Sequence, residues 1–202
     1  MKNIESIKQP DLAYPVHPLI ASRWSPRAYD TRPVEKEKLQ RIFEAARWAA
    51  SSSNIQPWFF LVGFKNDEVY DKIFNTLVEF NQLWVVNAPV LAVAISKTTN
   101  DRGSHNKSHA YDLGQAVATL SLQAMAEGVY THQMGGFDAS AAELALDIPA
   151  DYKVLVAFTL GYPGDAEILP PNLQKLEMSP RSRRTVGESV FTGSFGHKAD
   201  FL

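Results

Sequence analysis

Apolar positions along this chain follow two rhythms. Behind Pro33 and the acidic opening Glu35–Glu37, residues Leu39, Ile42, Phe43, Ala46 and Ala49 recur at helical spacing and predict a helix over about 35–50. The unbroken aromatic and aliphatic run after Pro57 predicts a strand near 58–63, covered on both faces. Asp67 and Glu68 open a second amphipathic helix, with Val69, Ile73, Leu77 and Phe80 on its buried side. Asn81–Asn87, which includes Trp84, reads as a connection to a second strand, Val90–Ile95. Residues 97–109 are polar and read as a mobile loop.

Tyr111–Glu127 is the longest predicted helix. Leu113, Ala116, Val117, Leu120, Leu122, Ala124 and Met125 cover more than one stripe of it. Such a helix is either central in the monomer or half of a dimer interface. Gly128 suits its C-cap. A strand over Val129–Met134 then runs into Gly135-Gly136, Asp138 caps a short helix near 139–146, and Lys153–Leu160 forms a last strand. The stretch 165–180 is rich in proline and reads as loop. Residues 1–18, with three prolines, read as an irregular arm. The tail 187–202 carries three glycines and Phe191, Phe195 and Phe201, an apolar segment that needs a surface such as a neighbouring subunit.

Composition narrows the chemistry. With 202 residues, 45% hydrophobic and 21% charged, the chain has the size and balance of one globular domain. A net charge of -2 gives no footprint for nucleic acid or an anionic membrane. No apolar run approaches the roughly 18 residues of a membrane span. The opening MKNIESIKQPDLAYP lacks the apolar core of a secretory signal, so a cytoplasmic location is the expectation. The absence of cysteine removes disulfides, thiolate nucleophiles and Cys-ligated metals. His105 and His109 stand four apart but lack an evident third ligand, so no metal is assigned.

Three short stretches could carry chemistry. Arg23, Ser25 and Arg27 alternate, and in extended backbone alternate side chains share a face, so two guanidinium groups and a hydroxyl could meet one anion; the alternative is a solvated polar loop. Ser51-Ser52-Ser53-Asn54-Ile55-Gln56 is a polar corner pinned between a helix and a strand, either a plain turn or a set of hydrogen-bonding groups offered to a flat polar ligand. Gly135-Gly136 ends a strand, either as a simple turn or as backbone open to a ligand. Arg181-Ser182-Arg183 adds a second pair of cations near the C-terminus. Nucleophile-elbow, P-loop and dinucleotide-binding fingerprints are all missing. What remains suits a bound phosphorylated ring compound that itself supplies the hard chemistry.

These pieces resemble the FMN-dependent nitroreductases, on R-x-S-x-R at 23–27, the A-x-S-S-x-N-x-Q-P-W type block at 49–58, and G-G-F-D at 135–138 ahead of the terminal R-S-R. The likeness runs from about Arg23 to the C-terminal region. It implies an α+β, three-layer α/β/α fold with a mixed, mostly antiparallel sheet, a single domain over 1–202, and a C-terminal extension exchanged onto the partner. It also implies a homodimer with FMN at the subunit interface. Carried over, Arg23, Ser25, Arg181 and Arg183 surround the phosphate, and Arg27 faces the pyrimidine edge. Ser51, Ser52 and Asn54 reach the flavin from the other subunit, and Gly135 and Gly136 bring a backbone N–H near N5. Trp24, Gln56, Asn81 and Met134 complete the cofactor positions. Arg27 and Gly135 are the catalytic pair.

The implied activity is hydride transfer from NADH or NADPH through flavin N5 to a nitroaromatic, quinone or similar acceptor, in a ping-pong cycle. The alternatives are a specialised flavoenzyme on the same fold, of the reductive dehalogenase or flavin-destroying type, and a flavin-binding protein with little turnover. Only 97–109 could serve as the lid such specialised relatives carry. Trp24 stands where Arg or His is common and Trp84 where some members carry Lys, so the two indoles are expected near the flavin, narrowing the substrate pocket. Gly135 stands where some members have Glu, and Gln133 where they have Pro.

Overall fold

The computed structural model describes residues 4–202, so the first three residues of the predicted arm lie outside the described residues. Four strands form one sheet in the order β1-β2-β4-β3, with β1 at Trp58–Phe64, β2 at Val90–Lys97, β3 at Tyr130–Met134 and β4 at Tyr152–Gly161. The fold is α+β with helices on both faces of the sheet, as the resemblance implies. Every pairing among the described strands is antiparallel, so the sheet of this single chain is not mixed.

The alternation of β2 creates the three layers. Val90, Ala92 and Ala94 face one way, against α3 (Lys36–Arg47) and α6 (His109–Ala126). Leu91, Val93 and Ile95 face the other way, against α4 (Glu68–Phe74), α5 (Glu79–Val85) and α8 (Pro171–Glu177). A strand with two apolar faces must be covered on both, which is why β2 lies inside the sheet and inside the molecule. Gly63 lets α4 lie directly on β1, because a Cβ there would collide with the backbone of Tyr70.

Four expectations change. The amphipathic run from Asp67 is two helices, not one: α4 stops at Phe74 and α5 starts at Glu79, with Asn75–Val78 turning between them. Asn81–Asn87 is therefore mostly helix, and its Trp84 is fully buried, stacked on His132 at 4.4 Å and against Tyr29 at 6.3 Å. The stretch 165–180 is not loop but a 3₁₀ turn at Ala166–Ile168 and the helix α8, which Pro171 opens at its first turn. Residues 97–109 form a pinned hairpin: Thr99 bridges His105, Asn106 is buried, and the His109 ring meets the Ser96 hydroxyl at 3.0 Å. Two other short helices, α1 (Ile4–Ile7) and α2 (Pro18–Ser22), interrupt the N-terminal segment, and α7 (Ala139–Ala145) carries Asp138 as its N-cap.

The two ends of the chain are tied to each other. Glu177, the last residue of α8 and only 1% exposed, accepts the backbone N–H of Arg27 at 3.0 Å and that of Ala28 at 3.1 Å. Arg181 donates through its guanidinium to the carbonyls of Lys8 (2.7 Å), Ala21 (2.5 Å) and Arg23. Beyond these ties the tail is less covered, and Phe195 is 95% exposed.

Glu177→Ala would leave two amides without acceptors and is expected to cost about 3 kcal/mol, seen in urea unfolding as a lower midpoint at unchanged slope. Glu177→Gln keeps one acceptor oxygen and is expected to lose less. A second expectation concerns His132, whose pKa falls from 6.5 to about 4, chiefly through burial and further through Arg27 and Arg23, against the opposing bond to Pro26. The unfolded chain takes up a proton that the folded ring refuses. Its stabilising contribution is thus complete above pH 6.5 and lost as the pH falls towards 4. The loss should reach roughly 3 kcal/mol. Urea unfolding across this range should show the stability gap between wild type and His132→Phe closing as acid is added.

Candidate functional site

The N-terminal arginine stretch leaves α2 in extended conformation, with the C-cap Arg23 at φ -65° and ψ 127°. Alternation then brings the Arg23 guanidinium to within 3.5 Å of the Ser25 hydroxyl. The C-terminal stretch arrives at the same place because α8 and the Arg181 clamp carry it there. Burial and the neighbouring Arg183 lower the pKa of Arg23; burial, Arg23 and Arg183 lower that of Arg181. Three guanidinium groups thus crowd one another. Among the described residues no salt bridge takes up Arg23, Arg27, Arg181 or Arg183. Such a cluster is an electrostatic cost that an anion would offset.

The four arginines differ in what they can offer. Arg181 has turned three donors to backbone carbonyls, so it contributes charge and a chain tie rather than the free fork that its motif suggests. Arg183 is exposed and bonds only the carbonyl of Ser182, at 2.8 Å. Arg27 is half-buried, and its Nε is sealed from solvent without any hydrogen-bond partner. An orphaned buried donor on a charged side chain calls for an acceptor that the described residues do not provide.

The turn after β3 supplies exposed backbone. A Cβ on Gly135 would meet open space, whereas one on Gly136 would fall 2.6 Å from Asn81 Nδ2 and 3.1 Å from Val78 Cγ2. Gly136 is therefore closely packed, and Gly135 leaves its surroundings free. Asn81 donates to the Gly136 carbonyl at 2.9 Å and accepts from the Trp84 indole at 3.3 Å. Its amide is engaged by the protein and braces the turn.

The polar corner is built differently from a plain turn. Ser53, Asn54 and Gln56 all have positive φ, at 49°, 55° and 52°. Three non-glycine residues in the left-handed region within four positions amount to stored strain, held by surrounding contacts. Ser51 Oγ accepts the Gln56 N–H at 3.0 Å, and the buried Asp112 of α6 accepts the Ser52 N–H at 3.1 Å. Ser52, Asn54 and Gln56 are exposed. No hydrogen bond among the described residues links this corner to the arginines of the same chain.

Two predicted positions are tightly packed. Trp24 is 4% exposed, packed edge-on to Tyr130 at 5.9 Å and beneath the Lys8 ammonium at 5.0 Å, and Trp84 is fully buried. The Met134 side chain belongs to the core. Sequence reading also missed Glu177, Asp112 and His132. Each is a polar side chain buried against a distant partner, and no local spacing marks it. Among the described residues no cluster of His, Asp or Glu could hold a metal ion, and no helix is long and apolar enough to cross a membrane.

The donor set fits FMN on these observations: crowded cations for a phosphate, an orphaned guanidinium nitrogen for a ring acceptor, and open backbone at Gly135. Comparison with known proteins points the same way. A solved structure described as an oxidoreductase containing FMN is 37% identical, covers 98% of this chain and 100% of its own, and superposes with a TM-score of 0.87. A nitroreductase family protein from Clostridium novyi NT is 25% identical over 75% of this chain and 87% of its own, with a TM-score of 0.65. A protein of Archaeoglobus fulgidus provisionally named NADH dehydrogenase/NAD(P)H nitroreductase is 28% identical over 73% of this chain and 84% of its own length. The model of the nitroreductase family matches residues 20–82 and 63–162, so the chain belongs to that family.

Proposed function

We propose that this protein is a cytoplasmic, homodimeric FMN oxidoreductase that uses NADH or NADPH to reduce nitroaromatic, quinone or similar acceptors. The carrying observation is Arg27, a half-buried cation whose Nε has no acceptor among the described residues. When bound, FMN would supply the hydride chemistry, receiving at N5 from the nicotinamide and passing electrons to the acceptor.

The chain's own groups bind and orient. Arg23 and Arg183 offer donors to the phosphate, Ser25 adds its hydroxyl, and Arg181 adds positive charge while locking the two arginine segments together. Arg27 faces the pyrimidine edge, where a fixed guanidinium stabilises negative charge as it develops. The exposed backbone at Gly135 lies against the reacting edge of the ring. Ser51, Ser52, Asn54 and Gln56 reach the partner's flavin, which accounts for a strained corner that makes no hydrogen bond to its own arginines. The exposed stripe Tyr111, Gly114 and Ala118 of α6 offers a thin surface for a second copy, and the tail from 187 onwards lies across that copy, covering Phe195. In this reading the whole chain is one FMN-binding domain.

The purified protein is expected to be yellow, to release FMN on denaturation, and to oxidise NADH or NADPH when menadione or a nitrofuran is present. A colourless protein that fails to take up FMN refutes the reading. Arg23→Ala and Arg183→Ala should each weaken FMN binding by roughly tenfold, measured by flavin fluorescence. Arg27→Ala should slow flavin bleaching in stopped flow by roughly a hundredfold with smaller loss of binding. An unchanged bleaching rate would remove Arg27 from the chemistry.

A further inference from the structure

His132 has no role in the assignments above, yet it lies between two of their elements. It sits on β3, three residues before Gly135. Its Nδ1 lies 2.8 Å from the carbonyl oxygen of Pro26, the residue before Arg27. A carbonyl can only accept, so Nδ1 must carry the proton. Burial, together with Arg27 and Arg23, keeps the ring neutral at physiological pH, which leaves Nε2 bare. The ring stacks on Trp84 at 4.4 Å and 27°. On the far side, the Trp84 indole N–H donates to Asn81, and Asn81 donates to the carbonyl of Gly136. Contacts therefore run unbroken from the Pro26–Arg27 peptide to the Gly135–Gly136 turn, two places far apart in sequence. Plain core packing would need the stack but not the bond to Pro26.

We propose that His132 is a positioning residue: its Nδ1–H fixes the Pro26–Arg27 peptide, and its ring, through Trp84 and Asn81, holds that peptide in register with the Gly135–Gly136 turn. Arg27 and the turn then meet the same ring system at a set separation. A site assembled from distant segments needs such a brace, because small misplacements of a reacting geometry are expensive in rate. The neutral ring suits the task, since a protonated one would add a third cation beside Arg27 and Arg23. This role rests on the flavin reading above.

The test has a part that needs no flavin. The imidazole ¹⁵N spectrum of the flavin-free protein at neutral pH should show His132 protonated at Nδ1 and bare at Nε2. A bare Nδ1 overturns the proposal, because the ring then donates nothing to Pro26. In the flavin-loaded enzyme, His132→Phe keeps a ring for Trp84 and removes the donor. Flavin reduction should slow on the order of tenfold, with FMN affinity little changed. Added to Arg27→Ala, His132→Phe should cost nothing more, since both act through one guanidinium. Wild-type reduction by His132→Phe, or losses that multiply in the double variant, would also overturn it. Failure of the wild-type protein to take up FMN sinks the flavin reading and this role together, whereas FMN uptake with the proton on Nε2 sinks only the role of His132.

Discussion

The grip of the Glu177 carboxylate on the amides of Arg27 and Ala28 is the constraint on which the rest depends. A carboxylate this deeply buried prefers to be neutral, and burial pushes its pKa up. The two amides, with Lys8 and Arg27 nearby, oppose that push. The result pins the N-terminal extended segment to the end of α8. Arg181 repeats the tie four residues later by holding the carbonyls of Lys8, Ala21 and Arg23. Two arginine stretches far apart in sequence are thereby forced into one cluster, and Arg23 and Arg181 cannot move apart to relieve repulsion.

Legibility in the sequence followed the range of the interactions. The helical spacing of Leu39, Ile42 and Ala46 and the apolar run of β2 were readable because their signal is local. The failures have physical causes. Val69, Ile73, Leu77 and Phe80 keep a helical rhythm across a break, because Leu77 is buried from the turn that joins α4 to α5. Proline density hid α8, although Pro171 at the first helical position favours a start rather than a stop. Trp84 looked like a pocket wall, because substitution for a polar residue in relatives says nothing about burial. Arg23, Arg27 and the corner residues were found as types, but which of them has a free donor was invisible. That depends on backbone carbonyls as remote as Lys8 is from Arg181.

The polar corner and the glycine turn show one design in two materials. At the turn, Gly136 avoids a clash with Asn81, and Asn81 in return fixes the carbonyl of Gly136. At the corner the backbone takes left-handed conformations at Ser53, Asn54 and Gln56 without glycine, so the cost must be met by contacts. Asp112 and Ser51 supply them through two backbone amides. In each case the groups nearest the proposed ligand are backbone or short side chains, and a buried polar residue behind them sets their position. This division explains why Asp112 escaped sequence reading while the exposed corner residues did not.

Crowded cations also couple ligand and fold. Arg23, Arg181 and Arg183 repel one another in a partly buried place, and the groups that hold them together are the same ones that join the chain ends. An anion that binds only the folded cluster stabilises the whole protein, by roughly 2.7 kcal/mol at a hundredfold excess over its dissociation constant. The clamp of Arg181 and the carboxylate of Glu177 then act as two halves of one device. One brings positive charge inward, and the other fixes the backbone of Arg27 beside it. Such an anion is expected to tighten both arginine segments, since neither can leave the cluster without releasing the other.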